Sequence, residues 1–278
     1  MSDQNPRNII ITGIPRSGTT LTAALIDSLP NTVCLNEPAW QTAKKHSSPQ
    51  AFARWLAEDF VEVRQKLLRG DPIPDSRSHE GLAVTNYYRP GNKINHGNKT
   101  HPMENTYRIV PFTRPGLTRD FTLAIKHNSP YLAVLKPLID LECFTIIVII
   151  RHPVEVIHSW RSLTLPVSEG KLPNAEPYWP QMAQLARTPM DLLEKQIRIY
   201  DLICKRIYHL CKDVHILTYE DLIQSPHRLC EHIGVTGNMA TNLIERKKNI
   251  HVPEAERELI VQALKKYGEY FVHFYPEI

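Results

Sequence analysis

Residues 8 to 26 constrain the fold more than any other stretch of the chain. Three β-branched residues (Ile9, Ile10, Ile11) lead into Gly13, Pro15 and Gly18, and the chain continues as Leu21-Thr22-Ala23-Ala24-Leu25-Ile26. An apolar run, a cluster of turn formers and a helix-compatible apolar stretch predict strand, tight loop and helix in that order. At such a helix start the first backbone N–H groups lack internal partners, and the helix dipole favours negative charge. The loop is therefore built to receive an anion. Gly13 and Gly18 let the backbone come close to it, Arg16 offers a charged fork, and Thr19 and Thr20 add hydroxyl donors.

The spacing from Gly13 to Gly18 reproduces the G-x-x-x-x-G of nucleotide P-loops, but Thr19 stands where that motif has its lysine. This argues against an ordinary ATP or GTP site and for a phosphate group presented in another way. A glycine-rich turn that binds nothing is the competing reading.

The remaining segments repeat the strand-then-helix order. Residues 30–38 hold a short second strand with Glu37 at its exit, where parallel α/β sheets place ligand-handling residues. Ser48 and Pro49 open a helix expected through 51–68, with Gly70 closing it. Residues 121–126 and 144–150 read as strands, the second apolar on both faces as a central parallel strand requires. A short helix is expected over 130–141, and another begins after Arg151-His152-Pro153. Thr188 as N-cap and Pro189 at the first position announce a further helix, with an apolar stripe of Leu193, Ile197, Tyr200, Cys204, Ile207 and Cys211. A last strand over 214–219 and helices starting near Pro226 and Pro253 complete the pattern. The expected fold is α/β, a P-loop-like parallel β-sheet flanked by helices, forming one domain over residues 1–278. Long irregular insertions interrupt it at 39–120 and 163–187, with a small strand expected at 107–112.

Composition narrows the classes of function. With 42% hydrophobic and 22% charged residues the chain is an ordinary globular sequence, and a formal charge of +4, from 33 basic and 29 acidic residues, does not call for nucleic acid. No run approaches 18 apolar residues and the first residues carry no apolar signal region, which predicts no membrane span and a cytoplasmic protein. Five cysteines (Cys34, Cys143, Cys204, Cys211, Cys230) without C-x-x-C spacing predict neither disulfides nor zinc, and all five are expected as buried hydrophobes. Thirteen histidines show no H-x-x-x-H pairing, so no metal site is expected.

The motifs together resemble one family. Pro15-Arg16-Ser17-Gly18-Thr19-Thr20-Leu21 resembles the 5′-phosphosulfate loop of sulfotransferases that use 3′-phosphoadenosine 5′-phosphosulfate (PAPS), and is most similar to the tyrosylprotein type and its bacterial relatives, whose loop carries Arg rather than Lys. Arg151 and Ser159, eight residues apart, resemble the 3′-phosphate site of that superfamily, and Tyr219-Glu220-Asp221-Leu222 resembles the element whose Tyr lies beside adenine. The resemblance covers residues 8–38, 122–162 and 212–236. It implies PAPS as donor, with Pro15, Arg16, Ser17, Gly18, Thr19, Thr20, Arg151, Ser159 and Tyr219 binding it.

Three residues compete for the role of base. Glu37 follows Arg16 by 21 residues, the separation of loop Arg and catalytic Glu in the tyrosylprotein class, and is the first choice. Ile125-Lys126-His127-Asn128-Ser129-Pro130 resembles the K-x-x-x-P segment of cytosolic sulfotransferases, but their base position is Asn128 here. That leaves Lys126 as the cation for the sulfuryl group and His127 as second choice. Lys99-Thr100-His101 reproduces the cytosolic K-T-H string without a strand ahead of it, so His101 ranks third. The implied reaction is in-line sulfuryl transfer to a hydroxyl or phenol, with peptide tyrosine, carbohydrate, lipid and small phenol all open as acceptor. A P-loop kinase or phosphotransferase and a non-catalytic nucleotide-binding module are the alternatives.

Overall fold

The computed structural model describes residues 7–76, 93–96, 99–102, 109–245 and 251–278. β1 (Asn8–Gly13), α1 (Thr19–Asp27) and β2 (Thr32–Asn36) form the opening strand-helix-strand unit. The short α2 (Trp40–Ala43) and the long α3 (Pro49–Arg69) follow. α3 begins where its sequence signals say, with the Ser48 hydroxyl accepting from the Ala51 N–H, and ends at Gly70 with φ 74°.

Next come β3 (Ile73–Ser76), β4 (Lys93–His96), β5 (Lys99–Pro102) and β6 (Ile109–Phe112), with β3 pairing antiparallel to β6 and β4 to β5. This stretch was expected to be irregular around Lys99-Thr100-His101, yet that string lies on β5 and is preceded by a strand. Of the small strand expected at 107–112, the part from Ile109 is present, and residues 107 and 108 lie outside the described residues.

β7 (Thr122–Lys126) is followed by α4 (Ser129–Ala133) and α5 (Leu135–Ile139), two short helices where one was expected, divided at Val134 with φ −111°. β8 (Thr145–Ile150) leads into α6 (Pro153–Arg161). The stretch expected as an irregular insertion at 163–187 instead carries 3₁₀ turns and α7 (Pro180–Arg187), and Pro166, Pro177 and Pro180 sit in the first turns of these elements. They start helices, as proline's fixed φ allows. α8 (Leu192–His209) accordingly starts later than expected: Asp191, not Thr188, is its cap, accepting from the Leu193 and Glu194 N–H groups, while Thr188 closes α7 through its hydroxyl on the Gln184 carbonyl. Cys211 falls beyond the helix end and is exposed, as is Cys143, and Cys230 is only partly covered. Only Cys34 and Cys204 serve as buried hydrophobes. β9 (His215–Thr218), α9 (Tyr219–Gln224), α10 (His227–Ile233), α11 (Asn242–Glu245) and α12 (Glu254–Tyr267) complete the chain.

The main sheet is parallel and five-stranded in the order β2-β7-β1-β8-β9. Its central strands alternate their side chains between two cores. Ile10, Val33, Leu35, Ile125, Ile146 and Val148 face the larger one with α3, α6 and α8, while Ile9, Ile11, Cys34, Ala124, Ile147 and Ile149 face α1 and α10. β1 runs between β7 and β8, so the loop after β1 opens at the point where successive strands are laid to either side of it. Crevices at such switch points are where open α/β sheets bind ligands. Among the described residues no helix is long and apolar enough to cross a membrane, and no group of three His, Cys, Asp or Glu could hold a metal ion.

Candidate active site

The loop after β1 is fixed from below by β8. The Ile14 N–H and the Ser17 hydroxyl both donate to the Ile149 carbonyl, at 3.1 and 2.8 Å, and the Ser17 N–H donates to Ile14 at 3.0 Å. Ser17 is fully buried, and with both donors turned into the protein it shapes the loop from inside. Pro15 is held through its carbonyl by the Trp160 indole at 2.9 Å. Gly13 and Gly18 have φ 151° and 98°, and each is closely approached: a Cβ on Gly18 would lie 2.4 Å from the Tyr219 ring. Arg16 takes φ 75° without being glycine, a strained geometry that persists only where the surroundings impose it. Its Nε donates to the Ser159 hydroxyl at 3.2 Å, so loop and α6 meet at that point. Thr19 and Thr20 open α1, whose first turn has no side-chain cap and presents its N–H groups to the crevice.

Lys126 ends β7 opposite Ile11 on one neighbour and Asn36 on the other. Its side chain is only 1% exposed, and its Nζ reaches Glu37 Oε1 at 2.6 Å and the Thr20 hydroxyl at 3.4 Å. Glu37 has φ 50° and donates its backbone N–H to the Lys126 carbonyl at 2.8 Å. Its carboxylate, 31% exposed, thus stands at the mouth of the crevice beside the buried ammonium and the start of α1. His127 continues the ladder through its N–H to Ile11, and its ring is buried. The ring donates to the Pro38 carbonyl, Nε2 has no partner, and burial pushes the imidazole down to about 4. It is a neutral group behind the Glu37 turn. The side chain of His101 lies outside the described residues.

Arg151 leaves β8 and is 7% exposed. Its Nε donates to Glu155 at 2.8 Å, its carbonyl accepts from the Tyr200 hydroxyl at 2.6 Å, and its guanidinium stacks 4.1 Å above the Tyr219 ring. The same ring packs on Gly18, so Arg151, Tyr219, Ser159 and the loop after β1 form one continuous wall. Sequence reasoning brought these four together and missed their supports. Glu155, four residues after Arg151 on α6, was readable as a helical ion pair, whereas Tyr200 and Trp160 carried no local signal.

What this arrangement can do follows from its charges. Two buried cations, Lys126 and Arg151, flank a helix N-terminus and are separated by the glycine-bearing loop, which suits a ligand with anionic groups at two points. The profile of the sulfotransferase family matches residues 6–238, which takes in the loop, Glu37, Lys126, Arg151, Ser159 and Tyr219. The chain belongs to the sulfotransferase family. A search of curated protein sequences returns no match. Among solved structures, this sulfotransferase is similar to a sulfotransferase from Alicyclobacillus acidocaldarius (12% identity, TM-score 0.45, covering 95% of this chain and 92% of that one). It is also similar to the sulfotransferase STF1 from Mycobacterium tuberculosis (15% identity, TM-score 0.41, covering 94% and 77%). A third likeness is to the sulfotransferase domain of the Synechococcus PCC 7002 olefin synthase (18% identity, TM-score 0.41, covering 96% and 96%).

Proposed function

We propose that this sulfotransferase moves a sulfuryl group from PAPS to an acceptor hydroxyl or phenol by in-line transfer, with Glu37 as the base. The observation that carries the reading is the Glu37–Lys126–Thr20 chain, in which one ammonium lies 2.6 Å from the proton acceptor and 3.4 Å from the hydroxyl at the start of α1. A PAPS donor supplies an activated sulfuryl group with adenosine 3′,5′-bisphosphate as its leaving group. Glu37 takes the acceptor's proton as the acceptor oxygen bonds to sulfur and the sulfur–oxygen bond to the phosphate breaks. Lys126, Arg16, Thr19, Thr20 and the first N–H groups of α1 meet the charge that gathers on the sulfuryl and leaving oxygens. Arg151 and Ser159 hold the 3′-phosphate, Tyr219 lies beside the adenine ring, and Gly18 with Pro15 and Ser17 sets the loop's shape.

Of the sulfotransferase types, the tyrosylprotein class and its bacterial relatives fit best. Arg16 occupies the loop and a carboxylate, Glu37, stands beside the lysine. His127 faces the Pro38 carbonyl with its proton and is assigned to support of the turn, not to proton transfer.

The test is Glu37→Gln, assayed with PAPS against a panel of tyrosyl peptide, carbohydrate, lipid and 4-nitrophenol acceptors. Turnover is expected to fall by about two to four powers of ten while adenosine 3′,5′-bisphosphate still binds. Normal turnover would remove Glu37 from the role of base. Magnesium-dependent ATP turnover in place of sulfuryl transfer would favour a phosphotransferase, and nucleotide binding without transfer to any acceptor would favour a binding module.

A further inference from the structure

A carboxylate that abstracts a proton in line with a transferring group must be placed to within a fraction of an ångström, and Glu37 sits on a backbone that resists its own conformation. Its φ of 50° is unfavourable for a residue with a Cβ, and the following segment, Pro38 to Ala43, contains only the four-residue α2. Something outside the turn must hold it.

The structure places a buried polar network directly behind that segment. Asp59 on α3 is 6% exposed and has no lysine or arginine bonded to its carboxylate among the contacts described. It accepts from the Trp40 indole at 3.0 and 3.2 Å and from the Gln41 amide at 2.7 Å. The other end of the Gln41 amide accepts from the Tyr131 hydroxyl at 2.5 Å. Gln41 and Tyr131 are both fully buried. Tyr131 meets the His127 ring edge-on at 5.5 Å, and His127 in turn donates to the Pro38 carbonyl. A buried carboxylate is costly unless its oxygens are bonded, so Asp59, whose donors Trp40 and Gln41 both come from the base-bearing segment, binds that segment strongly.

We propose that Asp59, acting through Trp40 and Gln41, is a positioning residue that sets the Glu37 turn for proton abstraction, with Tyr131 fixing the Gln41 amide. The proposal rests on the reading of Glu37 as base. Asp59 touches neither donor nor acceptor, and its effect is carried by the backbone of residues 37–41. An asparagine at position 59 keeps the shape but removes the charge and brings an NH₂ where one of two acceptor oxygens was, so Trp40 and Gln41 must share a single neutral oxygen and both bonds weaken.

The experiment compares Asp59→Asn, Glu37→Gln and the double variant in three readouts. Hydrogen exchange of the segment 36–43, measured without any ligand, should speed up at least tenfold in Asp59→Asn while segments covering β1 and β8 exchange as in the parent. Binding of adenosine 3′,5′-bisphosphate should stay within about twofold. With PAPS and whichever acceptor the parent uses, kcat should fall roughly 10- to 100-fold with KM little changed. In the Glu37→Gln background the second substitution should cost no more than about twofold, because there is no base left to place. Unchanged exchange of 36–43, unchanged kcat, or a full additional loss in the double variant would each overturn the proposal. A Glu37→Gln variant of normal turnover would instead overturn the assignment of the base, and the exchange result would still stand or fall by itself. If Asp59→Asn does not fold, Tyr131→Phe removes one hydroxyl from the same network and is expected to shift the same three readouts in the same directions, by less.

Discussion

Protonation of His127 provides a stability signal that can be worked out from its surroundings. The ring is 6% exposed, donates to Pro38 through one nitrogen and leaves the other, Nε2, buried without a partner. A proton on Nε2 would create a buried cation whose new donor has nothing to bond. Burial therefore lowers the imidazole from 6.5 to about 4, against a smaller opposing effect of the Glu37 carboxylate. The unfolded chain takes up this proton near 6.5 and the folded one near 4, so between those values the unfolded state binds more protons and stability rises with pH. The contribution is complete above pH 6.5 and lost as pH falls towards 4, where it amounts to about 3 kcal/mol; at pH 5 about 2 kcal/mol is already gone. Urea unfolding of the parent and of His127→Gln at pH 7.5, 6, 5 and 4.5 isolates this group, because the other titrating residues are common to both. The parent should lose about 2 kcal/mol more than the variant between pH 7.5 and 5. Parallel curves for the two proteins would refute the reasoning, since they would mean that the folded His127 accepts a proton as readily as the unfolded one.

Two other substitutions test the framework that holds the site. Gly18→Ala should destabilise the fold by about 1–2 kcal/mol from its φ of 98° and by a further 1–3 kcal/mol from the contact with the Tyr219 ring. In chemical denaturation, adding Tyr219→Ala should remove the second part of the Gly18→Ala cost and leave the first, whereas additive losses would contradict the contact. Arg64→Met on α3 should lower stability by about 2–4 kcal/mol, visible in calorimetry. Its guanidinium, 8% exposed, bonds to the carbonyls of Phe121 and Arg7 and to the Asn8 side chain, tying the entries of β1 and β7 together. A loss below about half a kcal/mol would show that water replaces these bonds.

The parts of the site that were legible in the sequence are those written in consecutive residues. The Ile9-Ile10-Ile11 and Thr145–Ile150 runs announce central strands because both faces of a parallel sheet are covered, and Gly13 and Gly18 announce a tight turn because nothing larger fits beneath Ile149 and Tyr219. Glu37 and Lys126 could be nominated separately, since each stands at a strand exit. Their mutual bond could not, because it depends on β7 inserting between β2 and β1. Local signals also misled where two of them competed. Thr188-Pro189 and Asp191 both look like helix starts, and the choice fell to Asp191 only because α7, hidden under a proline-rich stretch, had first to end at Thr188. The Asp59–Gln41 bond spans 18 residues and a change of direction, and no periodicity in the chain records it.

The central claim is that one ligand is gripped at two anionic points, with Arg151 at one of them. Calorimetric titration of the parent and of Arg151→Ala with adenosine 3′,5′-bisphosphate and with 5′-AMP tests it most directly. One charge-assisted phosphate contact should make the bisphosphate about 10- to 100-fold tighter than 5′-AMP for the parent. In Arg151→Ala that advantage should shrink to within about threefold, with 5′-AMP binding little changed. Equal affinity of the parent for the two nucleotides, or an advantage that survives the loss of Arg151, would contradict the account.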